Sequence, residues 1–148
     1  MEDIRHRVGI KAPIRDVYDA IATREGTAQW WTRDVEGEAQ LGSRLTFLFG
    51  GPQRSATMEI VELAPPHRVV WRCAGGPEEW LGTTVTFDLR TEGDETVVLF
   101  THSGWREAVE FMHHCSTAWA YFLLSLKHGV ERDEATPWPD NELISSWG

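Results

Sequence analysis

The chain has 148 residues, 14 of them Lys or Arg and 23 Asp or Glu, for a formal net charge of −9. One domain of this size buries a core without staples, and the acidic balance argues against a nucleic-acid backbone or an anionic membrane surface as the main partner. Cys73 and Cys115 have no CxxC spacing, the start MEDIRHRVGI lacks the apolar segment of a secretory signal, and no run approaches a membrane span, so a cytoplasmic protein with two reduced thiols is expected.

In chain order, Ile4, His6, Val8 and Ile10 alternate with Arg5, Arg7, Gly9 and Lys11, which predicts a half-buried strand over residues 3–11. Ala12-Pro13 stops it. Ile14, Val17, Tyr18 and Ile21 then recur at helical spacing and predict a short amphipathic helix over 13–22. Thr23 is placed to cap a second short helix that ends near Trp31.

After Trp31 the period becomes two, with strands expected at 33–38, 43–50, 55–64, 67–74, 80–90 and 95–103. Turn signals separate them at Leu41-Gly42, Gly50-Gly51-Pro52, Pro65-Pro66, Gly75-Gly76-Pro77 and Gly93-Asp94, and such short connections favour consecutive antiparallel pairing. From about Glu107 to Glu131 the apolar residues Phe111, Cys115, Ala118, Trp119, Phe122, Leu123 and Leu126 mark a long helix. The order predicts an α+β fold: a curved antiparallel sheet wrapped around a long C-terminal helix, enclosing volume between them. Residues 1–132 form the domain, and 133–148, with Pro137 and Pro139, form an irregular tail that Trp138 and Trp147 could tie down.

Eight tryptophans are many for a dry core of this size, because each buried indole N–H wants an acceptor. Lining a concave site is the more natural use. Trp30 and Trp31 are about 100° apart on a helix, so one ring is expected in the core and the other at the entrance. Val69, Trp71 and Cys73 share a strand face opposite Val70 and Arg72, and Trp71 would meet Trp119 on the helix stripe beside Cys115 and Phe122. For Trp71 and Trp119, ordinary core packing explains the residue as well as ligand lining does. Phe47, Phe49 and Met58 supply further apolar wall, and Trp80 sits near a strand start at the cavity edge.

His102 continues the inward face of Val98 and Phe100. It could orient a ligand or act as a base, although a histidine bonded to its surroundings is the favoured reading. His113, His114 and Cys115 diverge around a helix without an H-E-x-x-H spacing, so no metal site is expected. Ser103 and Cys115 lack a nucleophile elbow, and the FGGPQR stretch lacks the following helix and GK[ST] of a phosphate loop. Glu62, alone among Ile60, Val61 and Leu63, either faces solvent or pairs in the interior with Arg72. Arg5, Arg7, Lys11, Arg44, Thr83, Thr86 and Asp88 are read as polar outer faces.

Three stretches carry a family resemblance: IKAPIRDVYDAIATREGTAQWW, VELAPPHRVVW and TVTFDLRTEGDETVVLFTHSGW, followed by TAWAYFLLSLKHGVE. Together they resemble the helix-grip fold of the START and birch-pollen-allergen-like (SRPBCC) superfamily, in the branch of heat-shock-protein-90 ATPase activator homologues. The resemblance spans residues 3–131, with Ala118-Trp119 standing where the family usually has Gly-Trp. The resemblance does not choose among carriers, resistance proteins and cyclases; the indole-rich cavity read from the residues leads to binding of a hydrophobic, aromatic or polyketide-like molecule by Trp30, Trp31, Phe47, Phe49, Met58, Trp71, Trp80, His102, Cys115, Trp119 and Phe122, in a carrier, sensor or resistance role. A cyclase or hydrolase using the same pocket, with His102, Glu62 or Tyr121 as ionisable groups, is the alternative; a protein-interaction domain is another. Co-chaperone activity carries over poorly, because the eukaryotic activator has an additional N-terminal domain not found in these residues. No cofactor, metal, nucleic acid or membrane insertion is expected, and homodimerisation is left open.

Overall fold

The computed structural model describes residues 1–148. Its elements run β1 (Glu2–Ile10), α1 (Ile14–Ala22), α2 (Arg24–Trp30), β2 (Asp34–Gly37), β3 (Arg44–Leu48), β4 (Ser55–Ala64), β5 (Arg68–Gly75), β6 (Thr84–Glu92), β7 (Glu95–Trp105) and α3 (Glu110–Arg132). All seven strands join one antiparallel sheet in the order β1-β7-β6-β5-β4-β3-β2, so each strand from β2 to β7 pairs with its sequence neighbour and β1 returns beside β7. This is the helix-grip α+β fold, with α3 held against the concave face.

Alternation decides which side chains meet α3. Val69 and Trp71 on β5, Val85 and Phe87 on β6, and Val98 and Phe100 on β7 are all buried, as are Trp119, Leu123 and Leu126 on the helix. Buried aromatic pairs add edge-to-face contacts, with Trp71 and Phe100 flanking Phe87 at 5.0 and 5.4 Å.

Two departures from simple periodicity matter. The first is a bulge in β4, where Ile60 pairs with Trp71 but Glu62 pairs with Val70. The extra residue turns both Val61 and Glu62 outward. Glu62 therefore bonds Arg68 at 3.3 Å on the convex face, while Arg72 reaches Glu59 instead, so the interior Glu62–Arg72 pair considered from sequence does not form. The second is the start of β6. Residues Glu78–Trp80 form a 3-10 turn in which Trp80 N–H donates to Pro77 C=O at 2.9 Å, and the strand begins only at Thr84. Thr83, read from sequence as outward, is buried in that turn.

The two short helices meet tightly. Thr23 caps α2 by accepting from Gly26 N–H at 2.9 Å, and a Cβ on Gly26 would lie 2.3 Å from Asp19 C=O, so only glycine permits this approach.

At the other end of the chain, Asp133 adopts a left-handed conformation (φ 56°) that closes α3, its N–H reaching Gly129 and His128 C=O. Gly129 lets the chain reverse, since a Cβ there would sit 2.8 Å from that of Ala135. The tail then runs back along α3. Thr136 N–H donates to Ser125 Oγ, Glu142 N–H to Tyr121 Oη, and Ser145 Oγ lies 2.7 Å from His114 Nδ1. A single bridge between Thr32 and Trp138, with an Arg33–Asp140 ion pair, fastens it to the end of α2. Apart from that bridge the tail has no regular element, yet these hydrogen bonds tie it to α3 at Ser125, Tyr121 and His114.

Candidate functional site

A cavity of about 600 Å³ opens at one end of the grip. Five segments build it: Trp31 at the end of α2, the β3–β4 connection with the start of β4 from Phe49 to Ala56, the β5–β6 connection from Gly76 to Trp80, the N-terminal half of α3, and the tail from Trp138 onward. The β3–β4 and β5–β6 segments are hairpin connections at the ends of paired strands.

Trp119 is the centre of the wall. Its ring lies 4.9 Å from Trp31 and stacks on Trp80 at 5.8 Å with a 16° interplanar angle. Its far side packs on Phe100 at 4.6 Å. Trp30, the last residue of α2, and Trp31, just beyond it, stack on each other at 6.1 Å with a 14° interplanar angle instead of pointing 100° apart, but they sit at different depths. Trp30 bonds Ala20 C=O through Nε1 at 2.8 Å and packs on Phe87 in the core, whereas Trp31 faces the cavity beside Phe49.

Of the side chains singled out from sequence, Trp31, Phe49, Trp80, Cys115, Trp119 and Phe122 come together on the cavity wall. Trp30, Phe47, Met58, Trp71 and His102 do not line it; each is at most 1% exposed and lies in the packed core behind the wall.

His102 is held by a directional chain. Trp119 Nε1–H donates to its Nδ1 at 3.1 Å, its Nε2 lies 2.8 Å from Thr83 Oγ1, and Thr83 Oγ1–H donates to Trp80 C=O at 2.5 Å. Each hydroxyl and ring nitrogen has one role only if the imidazole is neutral with its proton on Nε2. Burial pushes its pKa down to about 3, in keeping with that form. Both nitrogens are committed, so His102 props the wall and cannot serve as a base there. Tyr121 bonds Thr136 and Glu142 on the flank of α3, and Glu62 lies on the convex face; neither lines the cavity.

The polar groups that do line the cavity are few. Cys115 is buried and its thiol is raised to about 12, first by burial and then by the charge of Glu79, with the Trp80 indole acting the other way. Trp80 Nε1 has no nitrogen or oxygen acceptor, leaving the weakly accepting Cys115 sulfur as its partner. His114, its pKa lowered by burial, contacts Ser145 and the Trp147 ring at 5.8 Å, while His113 is exposed on another side of α3. No group of three His, Cys, Asp or Glu side chains gathers anywhere in the molecule.

The tail is the part of the site that periodicity missed. Trp138, Asn141, Leu143, Ile144 and Trp147 all face the cavity, and Trp147 leans on Phe111 at 6.1 Å. The one available signal was a pair of tryptophans in a proline-rich segment that has no amphipathic period to place them.

A family model described as activator of Hsp90 ATPase homolog 1-like protein matches residues 11–131. The solution structure of an Aha1 dimer from Colwellia psychrerythraea is 43% identical with a TM-score of 0.83, covering 91% of this chain and 100% of its own. CalU16 from Micromonospora echinospora is 24% identical with a TM-score of 0.68, covering 91% of this chain and 77% of its own. DynU16, from the dynemicin biosynthetic locus, is 20% identical with a TM-score of 0.78, covering 93% of this chain and 50% of its own. The last two show the fold alone. No curated protein matched the chain. No helix is long and apolar enough to cross a membrane.

Proposed function

The chain belongs to the activator of Hsp90 ATPase homolog 1-like family, and for this member we propose binding of a hydrophobic, aromatic or polyketide-like small molecule in the cavity between the sheet, α3 and the tail. One observation carries the reading: a cavity of about 600 Å³ whose wall is built from indole and phenyl faces, within the size range of small-molecule sites. Trp31, Trp80 and Trp119, each at most 9% exposed, form an aromatic floor to the cavity that suits a flat aromatic ligand. Cys115 and Ala118 are small enough to leave room between them. A carrier, sensor or sequestering role follows from binding without a catalytic group, since His102 is committed to the wall. The occurrence of a fold neighbour in a biosynthetic locus supports small-molecule chemistry as the setting.

N-phenyl-1-naphthylamine, an uncharged aromatic dye that brightens in apolar surroundings, tests the proposal. Saturable enhancement with one site per chain is expected, and Ala118→Trp, which fills the cavity from α3, should abolish it. Absence of enhancement with the wild type, or binding that survives Ala118→Trp in a folded variant, would contradict it.

Self-association belongs to the same reading, supported by the dimeric Colwellia protein. Sedimentation equilibrium of the full chain should give twice the 16.8 kDa chain mass; a monomer at all concentrations excludes it.

A further inference from the structure

The charge on the cavity wall is the reverse of the charge on the protein. The chain carries 23 Asp and Glu residues, yet none of their side chains lines the cavity. The one full cation on the wall is Arg54, at the end of the 3-10 turn Pro52–Arg54 in the β3–β4 connection. Its backbone is fixed on both sides: Arg54 N–H donates to Gly51 C=O at 3.1 Å and Phe49 N–H donates to Arg54 C=O at 2.7 Å. Ser55 Oγ, bonded to Pro52 C=O at 2.8 Å, closes the same turn.

The guanidinium itself has no partner. Ten ion pairs occur in the molecule, and Arg54 is in none of them. It also donates to no carbonyl, unlike Arg106, which bonds Glu78 and Leu81 C=O. Its Nη1 rests in van der Waals contact with the end of the tail, where a Cβ on Gly148 would lie 3.5 Å away. Deeper in the wall, Trp80 Nε1 is a second donor that finds no nitrogen or oxygen acceptor. The cavity is thus an aromatic box with one unpaired guanidinium at its mouth and no Asp or Glu side chain on its wall to compete for it.

Resting on the binding reading above, the geometry points to a more specific ligand class: an aromatic molecule that carries one acidic group, a carboxylate or sulfonate, which pairs with Arg54 while its rings stack against Trp31, Trp80 and Trp119. A planar guanidinium accepts such an oxyanion in bidentate fashion. The low-dielectric aromatic wall beside it strengthens the pairing relative to open water. The fixed backbone of the turn limits the entropy lost in forming the pair.

Two dyes that differ by one sulfonate separate this inference from the binding reading. They are 8-anilino-1-naphthalenesulfonate and the neutral N-phenyl-1-naphthylamine, each titrated into the wild-type protein and into Arg54→Gln. The wild type is expected to bind the sulfonate about fivefold more tightly, a factor within reach of one charge-assisted pair. Added salt should reduce that preference. Arg54→Gln, at an exposed turn position, should erase the preference, bringing the sulfonate's Kd to that of the neutral dye. Equal affinities in the wild type, or a preference that survives Arg54→Gln, overturns the assignment of Arg54 while leaving the cavity intact as a binding site. Failure of both dyes to bind overturns the binding reading itself.

Discussion

Trp119 and His102 are joined by a 3.1 Å hydrogen bond from the indole Nε1–H to the imidazole Nδ1, so one ring both forms the cavity wall and satisfies the buried histidine behind it. Substituting Trp119 by Phe keeps most of the apolar area but leaves Nδ1 without a donor in a site closed to water. Trp119→Phe should cost about 1–3 kcal/mol, and Trp119→Ala about 3–5 kcal/mol. Urea unfolding of the two variants measures both, and a Phe variant as stable as wild type would show that the bond carries no weight.

The same histidine gives stability a defined pH dependence. Its folded pKa of about 3 lies below the ordinary 6.5, so between those values the unfolded chain binds a proton that the folded chain refuses. Stability from this group is fully present above pH 6.5 and falls as the pH drops towards 3. The slope approaches about 1.4 kcal/mol per pH unit inside the window. Comparing wild type with His102→Gln isolates it from the carboxylates, which titrate in both. Identical slopes in the two proteins would contradict a buried neutral imidazole.

Cys73 and Cys115 should be inert in the folded protein. Both are buried, and burial raises both thiols, Cys115 to about 12. Since the thiolate is the reactive form, 5,5′-dithiobis-(2-nitrobenzoate) at pH 8 should label neither until denaturant is added. Rapid labelling of one thiol in the native protein would mean that the cavity wall opens around Cys115.

Removal of Asn141–Gly148 takes away one wall of the cavity with little of the core, because Leu143 is 71% and Trp147 48% exposed. Loss of stability should be about 1 kcal/mol, the size of a typical single substitution. Binding of the neutral dye should weaken severalfold. An unchanged Kd would show that the tail does not contribute to the site.

Much of this architecture is legible in the sequence because its causes are periodic. Ile4 to Ile10, Val85 to Leu89 and Val98 to His102 alternate, and the stripe from Cys115 to Leu126 steps by three and four, so strands and helix announce themselves. What escaped is aperiodic. The bulge at Val61 reverses the side on which Glu62 emerges, and no composition marks it. The turn expected at Gly75-Gly76-Pro77 runs on through Thr83, carrying Trp80 to the cavity and Thr83 to His102, where the alternation puts the strand start at residue 80. The division of the aromatic residues into wall and core depends on depth: Phe47 and Phe49 lie two residues apart on one side of the chain, yet only Phe49 passes the end of β3 into the cavity. The tail's placement is set by single contacts such as Ser145 with His114, which carry no sequence period at all.

The most direct test of the account uses the tryptophans as eight separate reporters. In a ¹⁵N-labelled sample titrated with N-phenyl-1-naphthylamine, the indole N–H resonances of Trp31, Trp80, Trp119, Trp138 and Trp147, all on the cavity wall, should move together with one Kd. Those of Trp30, Trp71 and Trp105, which lie outside it, should stay in place. Shifts concentrated on the core tryptophans, or none at all at saturating dye, would contradict a ligand cavity between α3, the hairpin connections and the tail.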